Sequence, residues 1–293
     1  MELFRALGAL AERPTAGHAP IARSLGLPGA PDAATYTALF LLQLYPYASV
    51  YVGAEGMLGG EARDRVAGFW RAIGLVPPAE ADHLATLLGL YAELRERCEE
   101  ETEPLRRSAL DRASCALLWE HLVPWVPLYT QKMRAIGDEF YRAWAELLER
   151  ALRAEAHEHA AASLLPLHLR EAPSFADPRE AGAQSFIAAL LAPVRSGFII
   201  VRDDLARAAR QLGLGLRQGE RRFVLESLFA QERVPVLDWL EAEALSAAQG
   251  VSDAFPPVIR TFWSARAAGA AALLQRLGQT EAEFEATSAR TNV

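Results

Sequence analysis

Apolar residues recur along this chain with helical spacing. Val66, Phe69, Trp70 and Ile73 stand at i, i+3, i+4 and i+7, as do Leu84, Leu87, Leu88 and Tyr91; Phe140, Trp144, Leu147 and Ala151 continue the habit. Such a stripe marks one buried face of an amphipathic helix. Strict alternation is almost missing: Val50-Tyr51-Val52 and Phe198-Ile199-Ile200-Val201 are too short to propose a sheet. The stripes are interrupted at Pro46, Gly59-Gly60, Pro77-Pro78, Pro104, Pro124, Pro127 and Pro166. Proline removes the amide that would continue a helix, and glycine frees the backbone to turn. The expected fold class is all-α, a helical bundle followed by a smaller helical region.

Between Leu165 and Gly182, three prolines with Ser174 and Asp177 break the pattern. This places a domain over 1–165, a linker over 166–182 and a second helical region over 183–293. Fifteen of the 25 Phe, Trp and Tyr residues, among them all seven tyrosines, fall in the first part. No internal repeat is evident.

Composition narrows the function classes. Of the 293 residues, 51% are hydrophobic and 23% charged, enough to build a sizeable core. The net charge of −7 argues against the whole molecule binding nucleic acid nonspecifically. Cys98 and Cys115 sit apart on predicted helices with no pairing signature, which points to a reducing compartment. Met1–Leu10 lacks the features of an export signal, and the run Ala38–Leu44 is too short to span a bilayer. The expectation is a soluble, cytoplasmic protein without stable membrane insertion.

Three short stretches carry the chemistry: Tyr45-Pro46-Tyr47-Ala48-Ser49-Val50-Tyr51, Ala81-Asp82-His83-Leu84, and His121-Leu122-Val123-Pro124-Trp125. None has the layout of a catalytic triad, a metal cage or a phosphate loop. Asp82 opens the Leu84 helix, where a carboxylate caps free amides, and could also pair with a guanidinium from that place. The Pro/aromatic corners either plug their own core or wall a groove. Reading them as walls gives an acidic, aromatic groove for a basic and greasy partner. Its residues would be Glu80, Asp82 and His83 beside Tyr47, Tyr51, Trp70, Leu84, Leu88, His121, Pro124 and Trp125. Asp82 and His83 as an enzymatic acid/base pair lack a third orienting residue. His157 and His159 are two apart on a helix and do not share a face; only Glu155 and His159 do. No metal site and no cofactor are expected.

Seven arginines from Arg195 to Arg222 stand against three acids, on two short predicted helices around Asp203–Leu212 and Gln218–Ala230. This hairpin supports an alternative reading, a helical regulator or adaptor touching nucleic acid or an acidic partner. Within it, Arg221-Arg222-Phe223-Val224-Leu225 loosely resembles a twin-arginine export motif, with its phenylalanine one residue early.

Taken in order, the segments of the first half resemble the TorD/DmsD family of redox-enzyme maturation chaperones, related also to NarJ. The likeness runs from about Thr37 to Leu148. It includes Leu39-Phe40, Tyr47-Ala48-Ser49-Val50-Tyr51, Gly56-Met57-Leu58-Gly59-Gly60, Asp82-His83-Leu84, the His121–Trp125 stretch and Phe140-Tyr141-Arg142-Ala143-Trp144. The family's Glu-Pro-x-Asp-His motif is altered here to Ala79-Glu80-Ala81-Asp82-His83, without the proline and with the acid one step later. The resemblance implies a non-catalytic cytoplasmic chaperone with no cofactor. Its implied partners are a twin-arginine signal peptide and the apo form of a molybdopterin oxidoreductase catalytic subunit, held until cofactor insertion. Nucleic acid is not among them, and a homo-oligomer is compatible with the reading. The likeness does not extend beyond about residue 165.

Overall fold

The computed structural model describes residues 1–159, 164–250 and 256–291, with side chains described to Glu281. Among these the protein is all-α, and the sole β-type pairing is an isolated bridge between Tyr47 and His83. The chain divides into two compact units. The first comprises Met1–Gly53, Met57–Glu171 and a short stretch ending at Arg260; the second comprises Ala54–Gly56, Ala172–Val251 and Thr261–Val293.

The first unit contains α1 (Glu2–Ala9), α2 (His18–Ser24), α3 (Ala33–Tyr36), α4 (Ala48–Val52), α5 (Gly60–Ala72), α6 (Leu84–Glu100), α7 (Pro104–Ala116), α8 (Val126–Ile136), α9 (Glu139–Glu158) and α10 (Leu167–Arg170). The Leu84/Leu87/Leu88/Tyr91 stripe makes α6 the central helix, with all four side chains fully buried. Helix α6 packs on α1 and α7, while α9 packs on α8 and α1. Trp144 on α9 donates from its indole nitrogen to the Leu7 carbonyl of α1 at 3.1 Å. In the third stripe Phe140, Trp144 and Ala151 are buried, but Leu147 is only half-buried and its neighbour Leu148 takes the core position. Helix α5 is only partly enclosed: Val66 is buried, whereas Phe69, Trp70 and Ile73 stay half-exposed. The tripeptide Val50-Tyr51-Val52 is helical, as part of α4.

Two π-helical turns, Thr37–Leu41 and Leu117–Leu122, extend α3 and α7. The second closes with Val123 N–H donating to Leu118 O at 2.9 Å, five residues back. Wide turns of this kind shift the register of the side chains that follow and often occur at functional sites. Here the turn delivers His121, and Pro124 stops the helix before α8 begins.

The second unit holds α11 (Pro178–Leu190, broken at Gly182), α12 (Pro193–Ser196), α13 (Arg202–Leu212), α14 (Arg221–Gln231), α15 (Arg233–Gly250) and most of α16 (Pro257–Thr291). Its core is mainly aliphatic, built from residues such as Leu190, Leu205, Leu225, Leu228, Leu240 and Leu274. Phe198-Ile199-Ile200-Val201 forms no strand pairing and crosses this core as one buried extended segment. Gly197 precedes it with φ of 83°, and a Cβ there would lie 2.1 Å from the Ala267 backbone nitrogen. Only glycine permits that approach to α16. The stretch 166–182, read from sequence as a linker, carries the one-turn helix α10, whose Leu169 is fully buried. No helix among the described residues is long and apolar enough to cross a membrane.

Candidate functional site

Asp82 and His83 occupy a loop that Arg63 holds against α5 by donating from Nε and Nη2 to Ala79 O at 3.3 and 2.9 Å. The loop then meets the Tyr45–Tyr47 corner through backbone bonds: Ala48 N–H donates to Asp82 O at 3.0 Å, and Leu84 N–H to Pro46 O at 2.8 Å. His83, not Asp82, caps α6, its Nδ1 accepting from Ala85 N–H at 3.1 Å. The Asp82 carboxylate turns the other way and accepts from Ser49 N–H at 3.0 Å, near the start of α4. Asp82 is therefore a cap, but for a helix more than thirty residues away in sequence. The free amides of a helix's first turn favour a carboxylate wherever it comes from. Ser49 continues the network, its Oγ accepting from Gly59 N–H at 3.1 Å.

Tyr47 lies edge-on to His83 with ring centroids 4.8 Å apart. Burial lowers the His83 imidazole below its ordinary pKa against the pull of Glu80, Glu12 and Asp82. Burial, and then a hydrogen bond to the Glu80 side chain, raises the Tyr47 hydroxyl above its ordinary value. Tyr36 shares the field of Glu12 and Glu80, with Arg13 acting oppositely. Two exposed carboxylates, Glu12 and Glu80, thus converge on a corner of Tyr36, Tyr47 and His83. Sequence reasoning missed Glu12, which sits about seventy positions upstream with no local pattern to connect it.

The aromatic residues are arranged differently from the expectation. Tyr51 stacks flat on Trp125 at 5.2 Å, and Tyr129 meets both rings edge-on. The Tyr51 hydroxyl donates to Tyr45 O at 2.6 Å, and the Trp125 indole to His121 O at 2.8 Å. Tyr51, Leu84, Leu88, Pro124 and Trp125 are buried in the bundle, as are Asp82 and His83. The single groove lined by all eleven residues is therefore corrected: the Pro/aromatic corners plug the core they come from. Of the eleven, Glu80 is exposed and Tyr47 and Trp70 are half-buried.

His121 faces Phe69 at 5.1 Å and lies near Arg65. Burial, assisted by Arg65, lowers its pKa to about 4, and the same two causes with His121 lower that of His168 to about 3. Both rings are neutral at ordinary pH, so the 4.0 Å approach of His168 to Glu120 is not an ion pair.

An open groove of about 690 Å³ does exist in this unit, between the end of α5, the second half of α6 and α7. Ile73, Leu75, Leu94 and Leu110 line it together with Glu100 and Glu101. Ile73 belonged to a recognised stripe, but nothing local showed that its helix was left half-uncovered.

In the second unit the arginines are largely engaged. Arg207 pairs with Glu243 at 2.8 Å and Asp204 at 3.0 Å, Arg221 donates to Ile200 O, and Arg222 reaches Glu226 and Gln184. The two helices fall close to where the sequence placed them. Val224 and Leu225 are buried in this unit's own core, which removes them from any mimicry of a leader.

Residues 31–131 match the family described as nitrate reductase delta subunit. The "Chaperone protein TorD" of Photobacterium profundum is 32% identical over 108 residues, which is 35% of this chain and 50% of that protein. The N-terminal region is therefore similar to proteins of the TorD/NarJ type. The chain spans about half the length of the curated relative it matches, and no solved structure matches it. All eleven expected site residues fall inside the matched segment, whereas Glu12 and all of the second unit except Ala54–Gly56 lie outside it.

Proposed function

We propose that this protein is a non-catalytic chaperone for maturation of a molybdenum-cofactor oxidoreductase, binding the enzyme's twin-arginine signal peptide, its apoenzyme, or both. The observation that carries the reading is the family match over 31–131, which contains the Tyr47/Glu80/His83 corner. Two features of the unit support a signal-peptide ligand. Glu12 and Glu80 supply exposed negative charge beside hydroxyl and imidazole groups, a fit for guanidinium. The groove lined by Ile73, Leu75, Leu94 and Leu110 supplies an apolar trough. Leu75 and Glu80 are five residues apart, so charge and trough are separated by no more than about 18 Å of chain.

The buried Asp82-His83 pair works here as a scaffold. It joins the loop to the Tyr47 corner and caps two helices, and so positions Glu80. An acid/base role would need these groups to face a reacting atom, and both face backbone amides. The reading places the work in the cytoplasm, before export.

Titration of a labelled twin-arginine peptide into the full chain tests the proposal. Saturable binding near micromolar affinity, corresponding to about 8 kcal/mol, is expected. It should weaken when either peptide arginine becomes alanine. Absence of binding, or indifference to those arginines, would refute it.

A further inference from the structure

Helix α7 and the end of α9 bring together three side chains with metal-ligating atoms. Asp111 and Cys115 are four residues apart on α7 and share a face. His159 follows the last turn of α9, and its Nδ1 lies 3.4 Å from Cys115 Sγ. One ligand atom from each of the three side chains lies within 4.8 Å of the others. A tetrahedral zinc ion with Zn–S of about 2.3 Å and Zn–N of about 2.0–2.1 Å holds its sulfur and nitrogen donors roughly 3.5 Å apart. Cys115 and His159 already have the spacing of one edge of that tetrahedron.

The surroundings complete the pattern. Zinc-bound histidines commonly give their second ring nitrogen to a carboxylate, which fixes tautomer and orientation. His159 Nε2 is buried with no hydrogen-bond partner, and the nearest carboxylate oxygen, Glu155 Oε2, is 3.7 Å away. That oxygen is itself held by the Tyr91 hydroxyl at 2.6 Å. Arg95 bonds one Asp111 oxygen at 3.0 Å and leaves the other available. The charges also close, with a divalent cation against thiolate and Asp111, and Arg95 against Glu155. An open cavity of about 400 Å³, lined by residues including Arg95, Cys98 and Asp111, offers an entry path.

We propose that Asp111, Cys115 and His159 bind one zinc ion, water taking the fourth position, so that the metal ties α7 to the end of α9. On binding, the Cys115 S–H bond breaks, its proton passes to solvent and a Zn–S bond forms with no change of oxidation state. His159 binds through Nδ1 and keeps its proton on Nε2, toward Glu155. Neither i,i+2 spacing on α9 nor the two cysteines considered as a pair could reveal this set, because the partners meet only in three dimensions.

The test uses the full chain, stripped with chelator and titrated with Co²⁺ as the spectroscopic probe, then with Zn²⁺. One equivalent of Co²⁺ should give a thiolate-to-cobalt charge-transfer band that Zn²⁺ displaces, and Zn²⁺ should raise the melting temperature. Cys115→Ser should abolish the band, and His159→Gln should weaken Co²⁺ binding at least about tenfold. Glu155→Gln should weaken it about tenfold while keeping the band's shape. Cys98→Ser should change nothing. If Cys115→Ser fails to fold, His159→Gln and Glu155→Gln carry the decision. No band, a band surviving in Cys115→Ser, or a band lost in Cys98→Ser would overturn the site.

Discussion

The two units solve the problem of burying a helical core in different ways. The first is packed with aromatic rings and admits polar groups into its interior: Asp82, His83, His121, Glu149 and Glu155 are all buried there. Each must find a partner or stay neutral, since an unpaired buried charge is costly. Asp82 commits its carboxylate to the Ser49 amide, Glu155 to the Tyr91 hydroxyl, and His121 stays neutral. The second unit has a mainly aliphatic core and keeps most of its polar work at the edge, where Arg207 bridges Asp204 and Glu243 beneath the Trp239 ring. A core built by close backbone approach and aliphatic packing needs few polar exceptions. A core threaded with polar ties fixes loops in space, as the Tyr47 corner and the Glu80 loop are fixed here. The contrast puts the candidate recognition surface on the first unit.

The contrast can be broken at its strongest point by Gly197→Ala. The new Cβ would meet the α16 backbone, at a positive φ that alanine avoids. The expected loss is about 3 kcal/mol or more, read by denaturant unfolding. A change below about 1 kcal/mol would mean that the second unit does not rest on that approach.

Asp82→Ala sharpens the description of the first unit. It orphans the buried Ser49 amide and removes the side-chain tie between the 74–83 loop and α4, at an expected cost of about 2 kcal/mol. Thermal unfolding of the variant decides the point. An unchanged melting temperature combined with lost peptide binding would return Asp82 to direct contact with the ligand.

A pH dependence is also expected. His121 and His168 have folded pKa values of about 4 and about 3, below the ordinary 6.5, and His83 is shifted the same way. As pH falls, the unfolded chain takes up protons before the folded one does. Stability carried by the neutral rings is therefore complete above about pH 6.5 and is lost as pH falls toward about 4 and 3. The slope reaches about 1.4 kcal/mol per pH unit for each histidine. Unfolding free energies measured between about pH 7 and 5 should fall, and less steeply in His121→Gln. A flat profile would mean that these rings are solvated.

Much of this was legible in the sequence, and the misses share one cause. The stripes of α5, α6 and α9 follow from a period of about 3.6, so the all-α class was readable from apolar positions alone. Tyr47, Asp82 and His83 were picked out as belonging together, and the backbone bridge joins them. What periodicity does not give is which side of an aromatic corner faces solvent. Tyr51 and Trp125 are equally suited to wall or plug, and their mutual stacking made them a plug. Asp82 is a better cap by residue type than His83, yet the loop geometry gave α6 to the imidazole and sent the carboxylate to α4. Glu12, like the pairing of His159 with Cys115, depends on contacts between distant segments that no local pattern encodes.

In the reading proposed above, recognition lies on the exposed carboxylates of the corner and support lies on the buried pair beneath it. These roles separate in the affinity of a twin-arginine peptide for the Glu12→Gln/Glu80→Gln double variant, taken alongside its melting temperature. Affinity should fall roughly tenfold or more while the melting temperature stays unchanged. Undiminished affinity in a well-folded double variant would contradict that division of labour.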